Sequence, residues 1–223
     1  MVMEPEDILS VSLARLYDYE PIIHSSAGSF FTYTANPPFS PPLEITLRTP
    51  DTQSRNWSLQ ASSIWASSVY LADHIDRLHL DEYCNRRSPG KVSVLELGAG
   101  AGLPGILISK CYDNVLVTSS DYPDELLIQT LSENVERNLA HRCRVAPYAW
   151  GSDVSVLGMH TTGFDIVLAA DTLWNSELHA MFIQTLRMTL KRTADARIHL
   201  IAGLHTGRYT LQAFLNAIDG SGF

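Results

Sequence analysis

The chain has 223 residues, 45% of them hydrophobic and 18% charged, which suits one sizeable folded domain and excludes a disordered segment. Its 16 Lys and Arg against 24 Asp and Glu give a net charge of −8, and a nucleic-acid backbone as main partner needs clustered cations instead. An acidic body favours a basic partner: a lysine-bearing protein segment, a free amine or a small cation.

At the N-terminus, Glu4, Glu6 and Asp7 stand where a signal peptide would be basic and then apolar. No run approaches the roughly 18 apolar residues of a membrane span, so no membrane partner is expected. Cys84, Cys111 and Cys143 are odd in number and far apart, without zinc-ligand spacing. Reduced thiols and a cytoplasmic or nuclear location are expected. Ile8, Val11, Leu13 and Leu16 give residues 5–16 the face of a short amphipathic helix. Residues 29–48 are aromatic and β-branched, and two short strands around Asn36-Pro37-Pro38-Phe39 are the natural reading. A helix is expected at about 62–78, closed by a polar break at 85–90.

From Lys91 the pattern alternates. Strands are expected at 92–97, 115–119, 144–148, 165–169 and 197–202, and helices at 103–111, 124–138, 176–192 and 209–218. Strands alternating with long helices require a mostly parallel sheet covered on both faces, a Rossmann-like α/β fold. Residues 1–61 are read as an N-terminal extension with short strands, a lid, and residues 62–223 as the main domain.

The first of these strands runs into Glu96-Leu97-Gly98-Ala99-Gly100-Ala101-Gly102-Leu103-Pro104-Gly105. Gly98, Gly100 and Gly102 let the backbone turn sharply and approach a ligand, and the next helix points its N-terminus there. Dinucleotide folds use Gly-x-Gly-x-x-Gly to seat a pyrophosphate. Here an acid precedes Gly-x-Gly-x-Gly, and Glu96 would repel a pyrophosphate but not the ammonium and sulfonium charges of S-adenosylmethionine. That cofactor is the expected ligand.

Asp121 ends the second strand, where a carboxylate can accept hydrogen bonds from both ribose hydroxyls, although Ser120-Asp121-Tyr122-Pro123 also reads as a turn. Trp150 ends the third strand and could edge the adenine ring or be core. The fourth strand leads into Ala170-Asp171-Thr172-Leu173-Trp174-Asn175, outside the carboxyl ends of the strands, where a methyl acceptor should lie. Asp171 could hold an amine or take its proton, or could cap the following helix, and Trp174 could wall the slot. A lysine with a pKa near 10.4 is neutral about one time in 10³ at pH 7, so the acceptor needs a deprotonating surrounding.

Together these motifs resemble the seven-strand class I methyltransferases and, within them, the lysine methyltransferase group called methyltransferase family 16. The resemblance runs from about Ser63 to Gly207. Ser63-Ile64-Trp65-Ala66 with Leu71-Ala72-Asp73-His74 looks like the family's Trp-containing helix, which implies that Trp65 borders the cofactor. Asp121 to Leu127, with Asn134 and Asn138, is similar to the branch holding the fungal nicotinamide N-methyltransferase-like proteins and the elongation factor 1-alpha N-terminal and lysine methyltransferase. The branch's Asp-x-x-aromatic-Asn is matched by Asp171 to Asn175, with Trp174 where Phe or Tyr is usual.

The resemblance implies cofactor contacts at Trp65, Glu96, Gly98, Gly100, Gly102, Asp121, Tyr122, Trp150 and Ala170, and acceptor-side roles for Asp171, Trp174 and Asn175. It implies N-methylation of a protein lysine or N-terminal amine, with a small nicotinamide-like amine as the alternative acceptor. In the family's strand count the expected order is 3-2-1-4-5, with strands six and seven missing, so a catalytically impaired fold acting as a binding module is the third alternative. Asn36-Pro37-Pro38-Phe39 copies a motif with which some methyltransferases hold a planar amide. Because the strand at 165–169 already supplies the acceptor side, a plain proline loop is expected there.

Overall fold

The computed structural model describes residues 21–35, 42–87, 89–158 and 163–222. The expected helix at 5–16 and the Asn36-Pro37-Pro38-Phe39 loop lie outside these residues. Strands β1 (Phe30–Ala35) and β2 (Leu43–Arg48) pair antiparallel. Helices α1 (Ala66–Asp73) and α2 (Leu80–Arg87) follow, separated by the 3-10 turn Ile75–Leu78. Five strands and four helices follow, alternating except between β5 and β6, where a 3-10 turn (Val154–Leu157) stands in place of a helix among the described residues: β3 (Val92–Leu97), α3 (Leu103–Cys111), β4 (Val115–Asp121), α4 (Glu125–Arg137), β5 (Cys143–Pro147), β6 (Ile166–Ala170), α5 (His179–Thr189), β7 (Arg197–Ile201) and α6 (Arg208–Asp219).

The fold expectation needs correction. The chain's sixth and seventh strands are present, and the large sheet is wholly parallel with the order β5-β4-β3-β6-β7. The expectation numbered strands from residue 92 only and treated two as missing. The pair β1–β2 stands as a separate two-stranded sheet, because α3 and α4 lie between β2 and the large sheet. The other adjustments are local. The helix expected at 62–78 ends at Asp73, since His74 leaves helical geometry, and residues 85–87 of the expected polar break close the amphipathic α2, whose Leu80 and Tyr83 are buried, before a turn at 89–90.

Alternation along β3 sorts side chains onto two faces. Val92 and Val94 join one core with Val115, Val117, Ile166 and Leu168, against α1, α3 and the hairpin. Leu95 and Leu97 join a second core with Val167, Ala169, Phe182, Leu186 and Phe214. Helix α3 is buried from Leu103 to Ser109 because it has the sheet on one side and α1 and β2 on the other. That double covering explains a helix with almost no polar face.

Two asparagines fasten the hairpin. Asn138 accepts from the Thr46 N–H at 3.0 Å and donates to its carbonyl at 2.8 Å. Asn134 accepts from the Arg48 N–H at 2.8 Å and donates to the Arg48 carbonyl at 2.8 Å and to the Ala101 carbonyl at 3.0 Å. Each amide acts as a short stretch of neighbouring strand, satisfying a backbone pair that β1 leaves free. The third bond ties the hairpin to the glycine turn after β3.

Candidate functional site

A cavity of about 270 Å³ opens at the carboxyl ends of β3, β4 and β6, the position where open parallel sheets bind ligands. Its floor is the glycine turn. Gly98 and Gly100 have φ of +65° and +54°, the left-handed region that side chains rarely adopt. A side chain at Gly98 would strike Thr172, whereas one at Gly100 would meet no protein atom within 4 Å. Gly102, at φ +87°, instead starts α3, and a side chain there would collide with Leu131 and Ile106. It does not line the cavity.

Two carboxylates lie under this floor. Glu96 points to the α3 face of β3, is 3% exposed, and accepts from the Ser119 hydroxyl at 2.5 Å. Burial pushes its pKa up to about 7 against the pull of the Ser119 and Gly105 hydrogen bonds. Gly105 is required here, because a Cβ would overlap Ser119 Oγ and Glu96 Oε2. Asp121 is 9% exposed and accepts from the Gly100 N–H and the Tyr122 N–H, both at 2.7 Å. Burial raises it to about 6, outweighing those two bonds. Asp121 thus shapes its own turn and also lines the cavity.

The walls come from three other segments. Trp150 lines the cavity with its ring 4.6 Å from that of Phe182, so it belongs to cavity and core together. Tyr122, Ala170 and Trp174 also line it. Trp65 is held by its Nε1–H, which donates to the Gln60 carbonyl at 2.8 Å, and by a β-bridge to Ile23. Asp171 is 7% exposed and takes φ +59°, unusual for a residue with a side chain. Burial raises its pKa, opposed by His205, the Gly203 N–H and Ser67. The Ser67 side chain favours the ionised form, and Oδ2 has no partner of full hydrogen-bond geometry among the described residues. Asp171 is not a helix cap. Asn175 has that role, accepting from the Glu177 N–H at 3.0 Å, and it stands outside the cavity lining.

Of the twelve residues singled out from the sequence, ten therefore line one cavity and two, Gly102 and Asn175, shape its edges. The sequence reading missed Gln60, Ile64, Tyr148, Thr172 and Met181 in the lining, and His205 behind it. Ile64 and Thr172 lie inside quoted motifs without being singled out and Tyr148 stands two residues before Trp150, whereas nothing in the residue pattern marks Gln60, Met181 or His205. Among the described residues no group of three His, Cys, Asp or Glu is placed to hold a metal ion. Two buried acids under a glycine turn, with apolar and aromatic walls, suit a cationic ligand carrying a diol and a flat ring.

Comparison with known proteins agrees with this geometry. A family described as lysine methyltransferase matches residues 49–220. Three fungal relatives each bear the name protein N-terminal and lysine N-methyltransferase efm7. That of Schizosaccharomyces pombe is 33% identical over 157 residues, covering 66% of this chain and 58% of that protein. That of Eremothecium gossypii is 32% identical over 147 residues, covering 60% and 52%. That of Candida albicans is 27% identical over 203 residues, covering 84% and 73%. The chain spans little more than half the length of the first two.

Proposed function

Because the chain belongs to the lysine methyltransferase family, we propose that it is an S-adenosylmethionine-dependent N-methyltransferase acting on a lysine side chain or the N-terminal amine of a protein. The observation that carries this reading is the placement of Glu96, Asp121 and Asp171 around one cavity at the carboxyl ends of adjacent parallel strands. A cation carrying both ammonium and sulfonium charge would stabilise Glu96 and Asp121 in ionised form, which burial alone disfavours. The donor set fits that cofactor.

In this reading the Gly98–Gly100 backbone lets the amino-acid end of the cofactor lie close, and Asp121 accepts from the ribose hydroxyls. Trp150 and Tyr122 flank the flat ring, and Trp65 borders the opening. When bound, the cofactor supplies a methyl group already activated by the sulfonium. What the protein adds is alignment of the acceptor nitrogen and removal of its proton. Asp171 does both: its raised pKa makes it a better proton acceptor than an ordinary carboxylate. Trp174 walls the acceptor slot beside it.

The direct test is transfer from methyl-labelled S-adenosylmethionine into a cell extract. Label in the protein fraction supports the reading, and label confined to small molecules contradicts it. Asp171→Asn should lower transfer by about 10²-fold or more while leaving cofactor affinity within about twofold, a general-base loss without a binding loss. Unimpaired transfer by that variant would remove Asp171 from the role.

A further inference from the structure

The residue behind the acceptor side is His205, and nothing in the glycine-turn fingerprint or the Asp171–Asn175 motif involves it. It sits in the 3-10 turn Leu204–Thr206, just past β7. Its ring stacks on Trp65 with centroids 5.2 Å apart and planes 5° from parallel. Its Nε2 lies 3.4 Å from Asp171 Oδ1. It therefore touches two cavity-lining side chains while itself standing outside the lining.

The surrounding chain is arranged to hold it there. The Asp171 N–H donates to the Ile201 carbonyl at 2.8 Å, and the Gly203 N–H lies 3.5 Å from Asp171 Oδ1. The end of β7 thus grips Asp171 by backbone and side chain together. Gly203 has an ordinary negative φ of −78°, so its backbone does not require glycine. Space does: a Cβ at Gly203 would overlap the His205 ring at Nδ1 and Cε1. Glycine here lets the imidazole fold back over its own chain towards Asp171.

We propose that His205 is a positioning residue for methyl transfer, fixing Asp171 through Oδ1 and bracing Trp65 by stacking, so that Oδ2 is the oxygen left to meet the acceptor amine. The proposal rests on the acceptor-side reading of Asp171 given above. With Oδ1 occupied by His205 and the Gly203 N–H, the carboxylate cannot rotate freely, and Oδ2 is the oxygen with no partner of full hydrogen-bond geometry among the described residues. A buried carboxylate oxygen without a donor is costly, and an approaching ammonium or amine N–H would relieve that cost. A proton acceptor already held in one orientation leaves less to reorganise when the amine arrives.

Four variants separate the two contacts: His205→Phe keeps the stack and loses the donor, His205→Gln keeps a donor at similar reach and loses the aromatic ring, Gly203→Ala displaces the imidazole without deleting it, and His205→Phe in an Asp171→Asn background tests coupling. The readouts are S-adenosylmethionine affinity by calorimetry and the initial rate of label transfer to the protein fraction of a cell extract. His205→Phe and Gly203→Ala should each lower the rate about tenfold or more with cofactor affinity within about twofold, the signature of lost alignment. His205→Gln should recover part of the rate, the shortfall measuring the lost stack on Trp65, and His205→Phe should lose nothing further once Asp171 is Asn. Wild-type rates in both His205→Phe and Gly203→Ala would overturn the inference while leaving the methyltransferase reading intact. Absence of transfer by the wild-type protein itself would overturn both.

Discussion

Glu96 and Asp121 are nearly dry carboxylates, and their titration should be visible in ligand binding. Burial raises Glu96 to about 7 and Asp121 to about 6. Raised acids stabilise the ligand-free fold in their neutral form, a contribution complete at acid pH and lost as pH climbs through those values. A cationic cofactor selects the ionised form, so its affinity should move the other way. Calorimetry should show S-adenosylmethionine binding tighten from pH 5.5 to 7.5, by up to about tenfold per unit for each acid still protonated. Affinity flat across that range would contradict the assignment of these acids to the cofactor's charge. Gly105→Ala belongs to the same scale. Its new methyl group overlaps Glu96 and Ser119, an overpacking that should cost about 1–3 kcal/mol in chemical denaturation and weaken cofactor binding as Glu96 shifts. An unchanged denaturation midpoint would show that the β3–α3 contact has more room than the geometry gives it.

At the scale of elements, the hairpin β1–β2 depends on two amides more than on its own pairing. Two strands alone are marginal in water. Here α4 supplies Asn134 and Asn138 to the free side of β2 at Thr46 and Arg48. Asn134→Leu would leave the Arg48 N–H and carbonyl and the Ala101 carbonyl without that partner. It should lower stability by about 2–4 kcal/mol, against less than about 0.5 for the exposed Asn216→Ala. Equal midpoints for the two variants would show that water replaces the lost bonds.

These elements also mark how far the sequence could be read. Strand β3 and helix α3 were legible to the residue, because an apolar run, a glycine turn and Pro104 in the first helical turn bound them sharply. Helix α2 was hidden by its polar residues, since only Leu80 and Tyr83 are buried in it. The strands of the hairpin were readable from their β-branched pattern, but their docking was not. Docking is decided by side chains some 90 residues further along. His205 escaped for the same reason: its meaning comes from Trp65 and Asp171, brought to it by the fold.

Across the whole molecule, chemistry and anchoring occupy opposite ends of the sheet. At the amino end of β6, Asp165 is fully buried and pairs with Arg87 of α2 and with Lys191 at 2.8 Å, while the Ser93 N–H and hydroxyl each donate to it at 2.8 Å. Burial would raise its pKa, but the Lys191 and Ser93 hydrogen bonds win and hold it below the usual carboxylate value. A lowered acid contributes stability above the ordinary carboxylate range and loses it as pH falls. Asp165→Ala leaves Lys191 without its carboxylate while Arg87 keeps Asp195 at 3.6 Å, and chemical denaturation should show a loss of about 3–5 kcal/mol with no direct effect at the cavity.

At the carboxyl end, Trp65 before α1, the turn after β3 and the end of β6 meet around one opening, with His205 after β7 behind Trp65 and Asp171. In the proposed function this opening delivers a methyl group to a protein amine. The measurement that reaches it most directly is acid hydrolysis and amino-acid analysis of extract proteins labelled by the purified chain and methyl-labelled S-adenosylmethionine. The account predicts label in methylated lysine or in an N-methylated terminal residue, largely lost with Asp171→Asn. Tight cofactor binding with no label in any protein amine would contradict it.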